Sequence, residues 1–326
     1  MTVTLVYNPE GEFYTYAPSV IVVGQTDHIW TCHNAIEGKI KDSIYYIQRI
    51  RGQVVESRPV LETGTEEAWD SFHVCDPSVI SGEFAYNGEA YEYALFYVGD
   101  NVDASAQNQI GVAFAHGLSA QQWMKYPKPI IPYEGDQWGV GQPSAVSLGD
   151  GRVMLIYTKG HDGTITYQQE LDLSDMDTGP VYLSEACSLT NLGLTGYNGK
   201  RNYLNNVGIV YDPARDRLYA AREQHPYPTS YSYYISASIQ IVSVPAEHIF
   251  NGGGRWKVEG RIDEALTGLA RNHNAGISRT AEGTLPDLDA LQIFFVSSCG
   301  DSPNCQVAEW MYDLWEVAGT LNDYSQ

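Results

Sequence analysis

The chain has 326 residues, of which 43% are hydrophobic and 12% aromatic, and it carries 40 acidic against 19 basic side chains. This composition supplies a large core and excludes a disordered chain. A formal net charge of −21 without a compensating basic run argues against nucleic acid as a partner, and the absence of an apolar run of bilayer length argues against a membrane.

Five segments of the chain, taken in order, can be aligned with one another. They are YAPSVIVV from Tyr16, CDPSVISG from Cys75, GQPSAVSL from Gly141, NNVGIVYD from Asn205 and HNAGISRT from His273. Their spacing of about 65 residues accounts for the whole chain, and such a period is the signature of a repeat architecture.

Two further runs rich in aromatic and β-branched residues follow in each unit. The second runs are HIWTCHN, YEYALFYVG, RVMLIYTKG, RLYAAREQH and ALQIFFVSS. The third runs are SIYYIQRI, QIGVAFAHG, TITYQQELDL, SIQIVSVPA and VAEWMYDLWEV. Alternation and composition predict strands, with few helices between them. The sequence therefore predicts an all-β, single-domain, five-bladed β-propeller with blades starting near residues 16, 75, 141, 205 and 273.

Propeller geometry predicts where a site must lie, because the innermost strands all start at one face beside the axis. The aligned residues that should surround the channel mouth are Ala17, Asp76, Gln142, Asn206 and Asn274. Ends of second runs and starts of third runs should add His33, Asn34, Asp42, Asp100, His161, Asp162, Glu223 and His225. The segment RNHNAGISR then brings Asn272, His273 and Asn274 to the same pocket.

Amide, carboxylate and imidazole groups beside aromatic rings are typical of carbohydrate sites, so an oligo- or polysaccharide is the expected partner. The aromatic candidates are Trp30, Trp69, Trp138 and Tyr197. The residues expected to bind substrate are His33, Asn34, His73, Trp138, Gln142, Asn206, Asn272, His273 and Asn274. The alternative is that these polar groups satisfy buried backbone near the axis.

The segments HVCDPSVI, IGVAFA, GQPSAV and RNHNAGI resemble the five-bladed glycoside hydrolases of family 43 and its relatives. The resemblance implies an Asp base, a second Asp that tunes pKa, and a Glu acid at the starts of the first three blades, with a last-blade histidine that helps bind a metal or water. Asp76 and His273 match this pattern. Ala17 and Gln142 replace the base and the acid, and neither transfers protons at neutral pH.

Two functional hypotheses follow from this departure. In the first, the protein is a glycosidase of polysaccharide degradation in which Asp42, Asp76 and Glu223 supply the two carboxyl groups that glycoside hydrolysis requires. In the second, it binds glycans without cutting them, as a lectin does. Neither needs a cofactor, although an axial Ca²⁺ touched by His273 through water is compatible with both.

The five cysteines leave the cellular compartment open. Cys299 and Cys305 flank the turn-rich stretch GDSPN and either form a bridge or stay as thiols. A bridge would suit a secreted or periplasmic protein, which we expect, whereas the N-terminal segment lacks a signal-peptide pattern and leaves a cytoplasmic protein as the alternative. Cys32, Cys75 and Cys187 have no metal-site spacing and are predicted to be buried thiols.

Overall fold

The computed structural model describes residues 1–11, 13–103, 106–135, 137–161, 163–196, 198–200, 202–225, 235–298 and 312–324. Its strands form five antiparallel sheets, each built from consecutive strands apart from the last. The predicted five-bladed propeller is confirmed. Within the described ranges, no helix has the length and apolar character needed to cross a membrane.

The blades follow one another along the chain. Blade I contains β2 (Thr15–Val23), β3 (Thr26–Asn34), β4 (Asp42–Ile50) and β5 (Gln53–Leu61). Blade II contains β6 (His73–Tyr86), β7 (Glu89–Asp100), β8 (Gln109–Ala115) and β9 (Met124–Lys125). Blade III contains β10 (Val140–Gly149), β11 (Arg152–His161), β12 (Gly163–Asp172), β13 (Val181–Tyr182) and β14 (Cys187–Ser188). Blade IV contains β15 (Gly208–Asp212), β16 (Arg217–Glu223), β17 (Ile239–Pro245) and β18 (Lys257–Ile262).

The fifth blade joins the two ends of the chain. It contains β19 (His273–Ile277), β20 (Leu291–Ser298), β21 (Tyr312–Gly319) and the N-terminal β1 (Thr2–Tyr7). Strand β1 pairs antiparallel with β21. Two short α-helices follow β17 and β18, at Ala246–Ile249 and Glu264–Thr267, and 3₁₀ turns cover Leu288–Ala290 and Leu321–Tyr324. Pairing of the first strand with the last closes the ring and covers the edge that β21 would otherwise expose.

The core is divided among the blade interfaces. Five clusters of buried apolar side chains occur in the described structure, and each joins one blade to its neighbour around the ring. Phe96 of blade II packs with Leu155 of blade III, for example, and Tyr219 of blade IV packs with Phe295 of blade V. Burial of both faces of every sheet fixes the positions of the inner strands, and these positions define the site.

Residues 279–285 cross the axis at the far end of the channel, and we call this segment the axial plug. Its carbonyl groups accept one backbone hydrogen bond from each of the first four blades in turn. The pairs are Val22 N to Arg279 O at 2.9 Å, Ser81 N to Ala281 O at 2.7 Å, Ser147 N to Glu282 O at 2.9 Å and Tyr211 N to Gly283 O at 3.0 Å. The plug thus closes the channel at the end opposite the starts of the inner strands.

The Arg279 side chain extends from the plug into the channel and is 4% exposed. Its guanidinium donates to the carbonyls of Ala145 at 2.7 Å and Ile209 at 3.3 Å, and to Ser78 Oγ and Val79 O at 3.0 Å each. These acceptors belong to the inner strands of blades II, III and IV. Burial lowers the pKa of Arg279 to about 10, but the group stays charged at neutral pH.

The cysteine prediction is wrong for two of its three residues. Cys32 of β3 and Cys75 of β6 form a disulfide that joins blades I and II, so they are not free thiols. They come together because the start of the second inner strand packs beside the end of β3. Cys187 is free and half-buried. Cys299 and Cys305 lie outside the described residues.

Candidate functional site

A ring of five residues with left-handed backbone surrounds the channel mouth. Their φ angles are 51° for Ala17, 48° for Asp76, 54° for Gln142, 48° for Asn206 and 43° for Asn274. In blades I, II, III and V the pairing register of the inner strand shifts at this point, which marks a bulge. The bulge turns each ring side chain toward the axis, and this is the reason the repeat aligns on these residues.

Neighbouring ring residues are linked through their backbone amides. The Asn206 N–H donates to Gln142 Oε1 at 3.0 Å, and the Asp76 carboxylate accepts from the Gln142 backbone. At Asn274 the acceptor is Glu223 Oε1, at 3.1 Å. Ala17 has no polar side chain to accept from the Asp76 amide, and that amide instead lies 2.9 Å from Cys32 Sγ. Blades I to IV therefore each place an acceptor against the ring amide of the next blade.

The pocket at the channel mouth is lined by Tyr16, His73, Cys75, Asp76, Val98, Asn108, Trp138, Gly141, Gln142, Asn206 and Asn274. Asp76 is the one carboxylate among these lining residues of the described structure. Burial raises the pKa of Asp76 to about 6, with His73 and the Gln142 amide opposing the shift and Asp42 and Glu223 adding to it. The group therefore changes protonation in the range where a general acid is most useful.

Trp138 provides a flat apolar face in the same pocket. Its indole packs against Gly160, where a Cβ atom would lie 2.5 Å from the ring. The glycine is needed at that position because any larger residue would displace the indole. The other aromatic candidates lie elsewhere: Trp30 is buried in the core between blades I and II, and Trp69 stacks on Tyr97 with ring centroids 5.6 Å apart.

Asp42 lies behind the pocket wall at the start of β4 and is fully buried. Its Oδ1 accepts from the Tyr14 hydroxyl, and its Oδ2 accepts from the Tyr16 hydroxyl at 2.8 Å. His73 Nδ1 accepts the Asp42 backbone N–H at 3.3 Å and lies 3.6 Å from Oδ2. Asp42 therefore contacts the pocket only through neighbouring side chains that line it.

Glu223 occupies a corresponding place between blades IV and V and is also fully buried. Its Oε1 lies 2.7 Å from His273 Nδ1 and accepts from Asn206 Nδ2 at 2.7 Å, as well as from the Asn274 amide. The Asn206 amide group and the Asn274 N–H both donate to this oxygen, and with the adjacent imidazole they hold the carboxylate in place and orient Asn206 toward the axis. Glu223 thus supports the ring and does not line the pocket.

Three of the predicted substrate-binding residues serve the local backbone. Asn34 Oδ1 accepts from the Tyr14 amide at 2.7 Å, and His33 Nδ1 contacts the Asn34 carbonyl at 2.9 Å. Asn272 Nδ2 donates to two carbonyls, those of Leu269 and Ala237. All three residues are buried and are not among the lining residues.

The outer candidates form a second layer behind the pocket. Asp100 is buried beside His73, its partner across β6 and β7, and burial raises its pKa to about 6. His225 Nε2 lies 3.2 Å from Asn205 Nδ2, and burial lowers its pKa. Asp162, Tyr197 and the His161 side chain lie outside what the structure describes.

A cation site built from protein ligands alone does not fit these residues. Within the described chain, the single group of three His, Cys, Asp or Glu ligand atoms lying close together is Cys32, Asp42 and Cys75. Both of its sulfur atoms belong to the disulfide, and metal binding needs thiolates. The Nδ1 atom of His273 faces Glu223. The axial Ca²⁺, bound through water, stays a prediction.

Two parts of the site are not predicted by the sequence patterns. Tyr16 stands one position before the ring, where the other units have Cys75, Gly141, Asn205 and His273. Because that column of the repeat contains no common residue type, only its position beside the ring indicates a role. No short cysteine spacing indicates the Cys32–Cys75 disulfide, because the sequence separation of its two cysteines is 43.

No sequence-family model and no curated protein matches the chain. Several solved structures match its fold. A family 117 glycoside hydrolase from the marine bacterium Zobellia galactanivorans superposes with a TM-score of 0.61 at 11% identity, over 100% of this chain and 92% of that one. The GH43_1 enzyme from Xanthomonas citri, complexed with xylotriose, gives 0.61 at 14% identity, over 97% and 90%.

An α-L-arabinofuranosidase from Podospora anserina, in complex with cellotriose, gives a TM-score of 0.57 at 10% identity over 97% of this chain and 94% of that one. These alignments extend over nearly the full length of each protein. The resemblance inferred from the blade motifs is confirmed at the level of the fold, and the chain has the five-bladed propeller architecture of these glycoside hydrolases.

Proposed function

We propose that the protein hydrolyses a glycosidic bond in the pocket at the channel mouth, with Asp76 as its general acid. The observation that carries this proposal is the position and environment of Asp76, a carboxyl group that lines the pocket and whose pKa burial raises to about 6. A glycosidase acid must hold a proton when substrate is bound and must reach the glycosidic oxygen. The place of Asp76 in the pocket wall supports the second requirement, and its raised pKa, which favours the protonated form below about pH 6, supports the first.

The lining residues favour a neutral oligosaccharide as substrate. Trp138 offers a face for sugar C–H groups, and Gln142, Asn206 and Asn274 offer amides for hydroxyl groups. The pocket contains no Arg or Lys among its described lining residues, and the chain carries a net charge of −21, so an acidic sugar would be repelled. The oligosaccharides named with the structural neighbours, cellotriose and xylotriose, are of the neutral kind.

A glycan-binding protein without catalysis is the second candidate. It is favoured by the burial of Asp42 and Glu223, both of which are engaged in hydrogen bonds behind the pocket wall. A lectin-like role requires the same amides and the same indole but no proton transfer. The two functions therefore differ in the role of Asp76.

The test compares Asp76→Asn with wild type on a panel of neutral oligosaccharides and aryl glycosides, including arabinosides and xylosides. Asn tolerates the left-handed backbone and keeps the shape of the side chain, so the variant removes the proton and little else. We expect kcat to fall by about 10²- to 10⁴-fold while glycan affinity by calorimetry changes little.

Asp150→Asn is the matched control, because Asp150 also has a positive φ, of 52°, but lies exposed in the hairpin between β10 and β11. It should behave as wild type. Turnover that survives Asp76→Asn would exclude Asp76 as the acid. Glycan binding without turnover by the wild-type protein would establish the lectin-like function instead.

We also propose that the protein works in an oxidising compartment, outside the cell or in the periplasm. The Cys32–Cys75 disulfide supports this, because such bonds are rare in reducing compartments. Thiol titration of protein taken directly from its native source should show both cysteines blocked. Two reactive thiols at these positions would contradict the proposal.

A further inference from the structure

The Tyr16 side chain connects the pocket to a carboxylate that substrate cannot reach. Tyr16 lines the pocket, and its hydroxyl donates to Asp42 Oδ2 at 2.8 Å. Asp42 is fully buried, and its other oxygen accepts from Tyr14. A buried carboxylate held in this way can take up a proton from Tyr16 but cannot itself attack a sugar.

We propose that Tyr16 is the nucleophile of the pocket, with Asp42 as the base that receives its phenolic proton. This inference rests on the proposed hydrolase function and on Asp76 as the acid. It gives Asp42 a role that agrees with its burial. It also places a reactive group one residue before Ala17, at whose position the resemblance implies the Asp base.

The separation between Tyr16 and Asp76 selects the stereochemical course. Tyr16 Oη lies 3.0 Å from Cys75 Sγ, and Asp76 Oδ1 lies 3.4 Å from the same sulfur. The two oxygens are therefore less than about 6.5 Å apart, the lower limit of the roughly 6.5–9.5 Å that inverting enzymes need for a water molecule. This spacing suits a retaining reaction through a covalent intermediate.

The first step forms a bond between Tyr16 Oη and the anomeric carbon and breaks the bond from that carbon to the leaving oxygen. The phenolic proton passes to Asp42 Oδ2, and the Asp76 proton passes to the leaving oxygen. In the second step water attacks the anomeric carbon and gives one proton to Asp76. The bond to Tyr16 breaks, and the proton on Asp42 returns to Tyr16, so the enzyme is restored with water as the one co-reactant.

Electrostatics give a reason for a phenol at this position. Burial and the nearby Asp42 carboxylate raise the pKa of Tyr16 well above its usual value, so the side chain is neutral in the resting protein. Its proton must leave as the new bond forms. A carboxylate nucleophile in place of Tyr16 would add another negative charge between Asp42 and Asp76, and like charges in a buried site are costly.

The test uses a substrate that the wild-type protein hydrolyses and compares Tyr16→Phe with Tyr211→Phe. Tyr211 also donates to a carboxylate, Asp216 Oδ1 at 3.0 Å, but it lies next to the plug, at the opposite end of the inner strand. We expect Tyr16→Phe to lose at least about 10³-fold in kcat with little change in glycan affinity, and Tyr211→Phe to keep wild-type rates.

Two measurements on the wild-type protein do not depend on how the variants fold. Proton NMR of the first-formed product should show retention of anomeric configuration. Incubation with a 2-deoxy-2-fluoro glycoside of the hydrolysed sugar, carrying an activated leaving group, should increase the mass of the protein by one glycosyl group. Peptide mapping should locate this group on Tyr16.

Four results would overturn the inference. Inversion of configuration, or an adduct mapped to Asp76 or another residue, excludes Tyr16 as the nucleophile but leaves the hydrolase function intact. Unchanged turnover in Tyr16→Phe does the same. If no glycoside is hydrolysed by the wild-type protein, the proposed function itself fails, and the role of Tyr16 fails with it.

Discussion

Replacement of Arg279 by methionine should destabilise the whole ring. The guanidinium makes four hydrogen bonds to blades II, III and IV, and each bond from a charged donor contributes about 1.5 to 3 kcal/mol. Against this, the pKa lowered to about 10 from 12.5 reflects a desolvation cost of about 3 kcal/mol. Allowing for water that enters the vacated channel, we expect Arg279→Met to lose about 3 kcal/mol of unfolding free energy.

Urea denaturation followed by tryptophan fluorescence measures this loss directly. Arg279→Lys keeps the charge but cannot span three blades with one ammonium group, so it should fall between Met and wild type. The control is Arg152→Met, because Arg152 is exposed at the start of β11. If Arg279→Met has the same urea midpoint of unfolding as the wild-type protein, the Arg279 side chain does not hold the blades together, and its hydrogen bonds contribute less than this reasoning requires.

Three other predictions concern the pocket and its frame. The double variant Cys32→Ser, Cys75→Ser should lose about 4 kcal/mol of unfolding free energy in the same assay, because the bridge closes a loop across 43 residues. A reducing agent should lower the stability of the wild-type protein but not that of the double variant. Ala17→Gly should gain about 1 kcal/mol in thermal melts, since a φ of 51° strains a residue with a Cβ atom, whereas Ala113→Gly in β8 should lose stability. Because the pKa of Asp76 rises to about 6 from 3.8 on folding, its contribution to stability is present below pH 4 and disappears as the pH rises through 6. Urea titrations between pH 4 and 8 should therefore show Asp76→Asn losing less stability with rising pH than wild type does, and wild-type kcat/KM should fall above about pH 6 as the acid loses its proton.

The fold was accessible from the sequence because one backbone feature recurs in every blade. The residues at positions 17, 76, 142, 206 and 274 have no side-chain type common to all five, but each is followed by a small or rigid pair that suits a bulge, from Pro18-Ser19 to Ala275-Gly276. Aligning the five segments on this pair identifies the five ring residues. The same alignment predicts which face carries Asp42 and Glu223, and both lie near enough to Asp76 to raise its pKa.

The sequence does not show how deeply each side chain is buried. Asp42 and Glu223 occupy strand ends that could equally face solvent, and their burial depends on contacts from residues distant in sequence. Tyr16 of β2 and Tyr14, just before that strand, cover Asp42, and His273 covers Glu223 from the next blade. The axial plug has no repeat and no regular structure of its own, so its closure of the channel depends on pairing with four separate strands.

The backbone conformation of the ring does not depend on the chemistry of its side chains. Ala17 and Gln142 have the same backbone conformation as Asp76, so the inner strand keeps its bulge whether or not its side chain can transfer a proton. Loss of the acid and base expected from the resemblance therefore removes no element of the architecture. The residues one position before the ring include Tyr16 in blade I and His273 in blade V, and each of these two contacts a buried carboxylate. A pocket of this kind can carry its reactive group one residue along the strand while every blade stays in place, which is the arrangement that the proposed role of Tyr16, beside Ala17, requires.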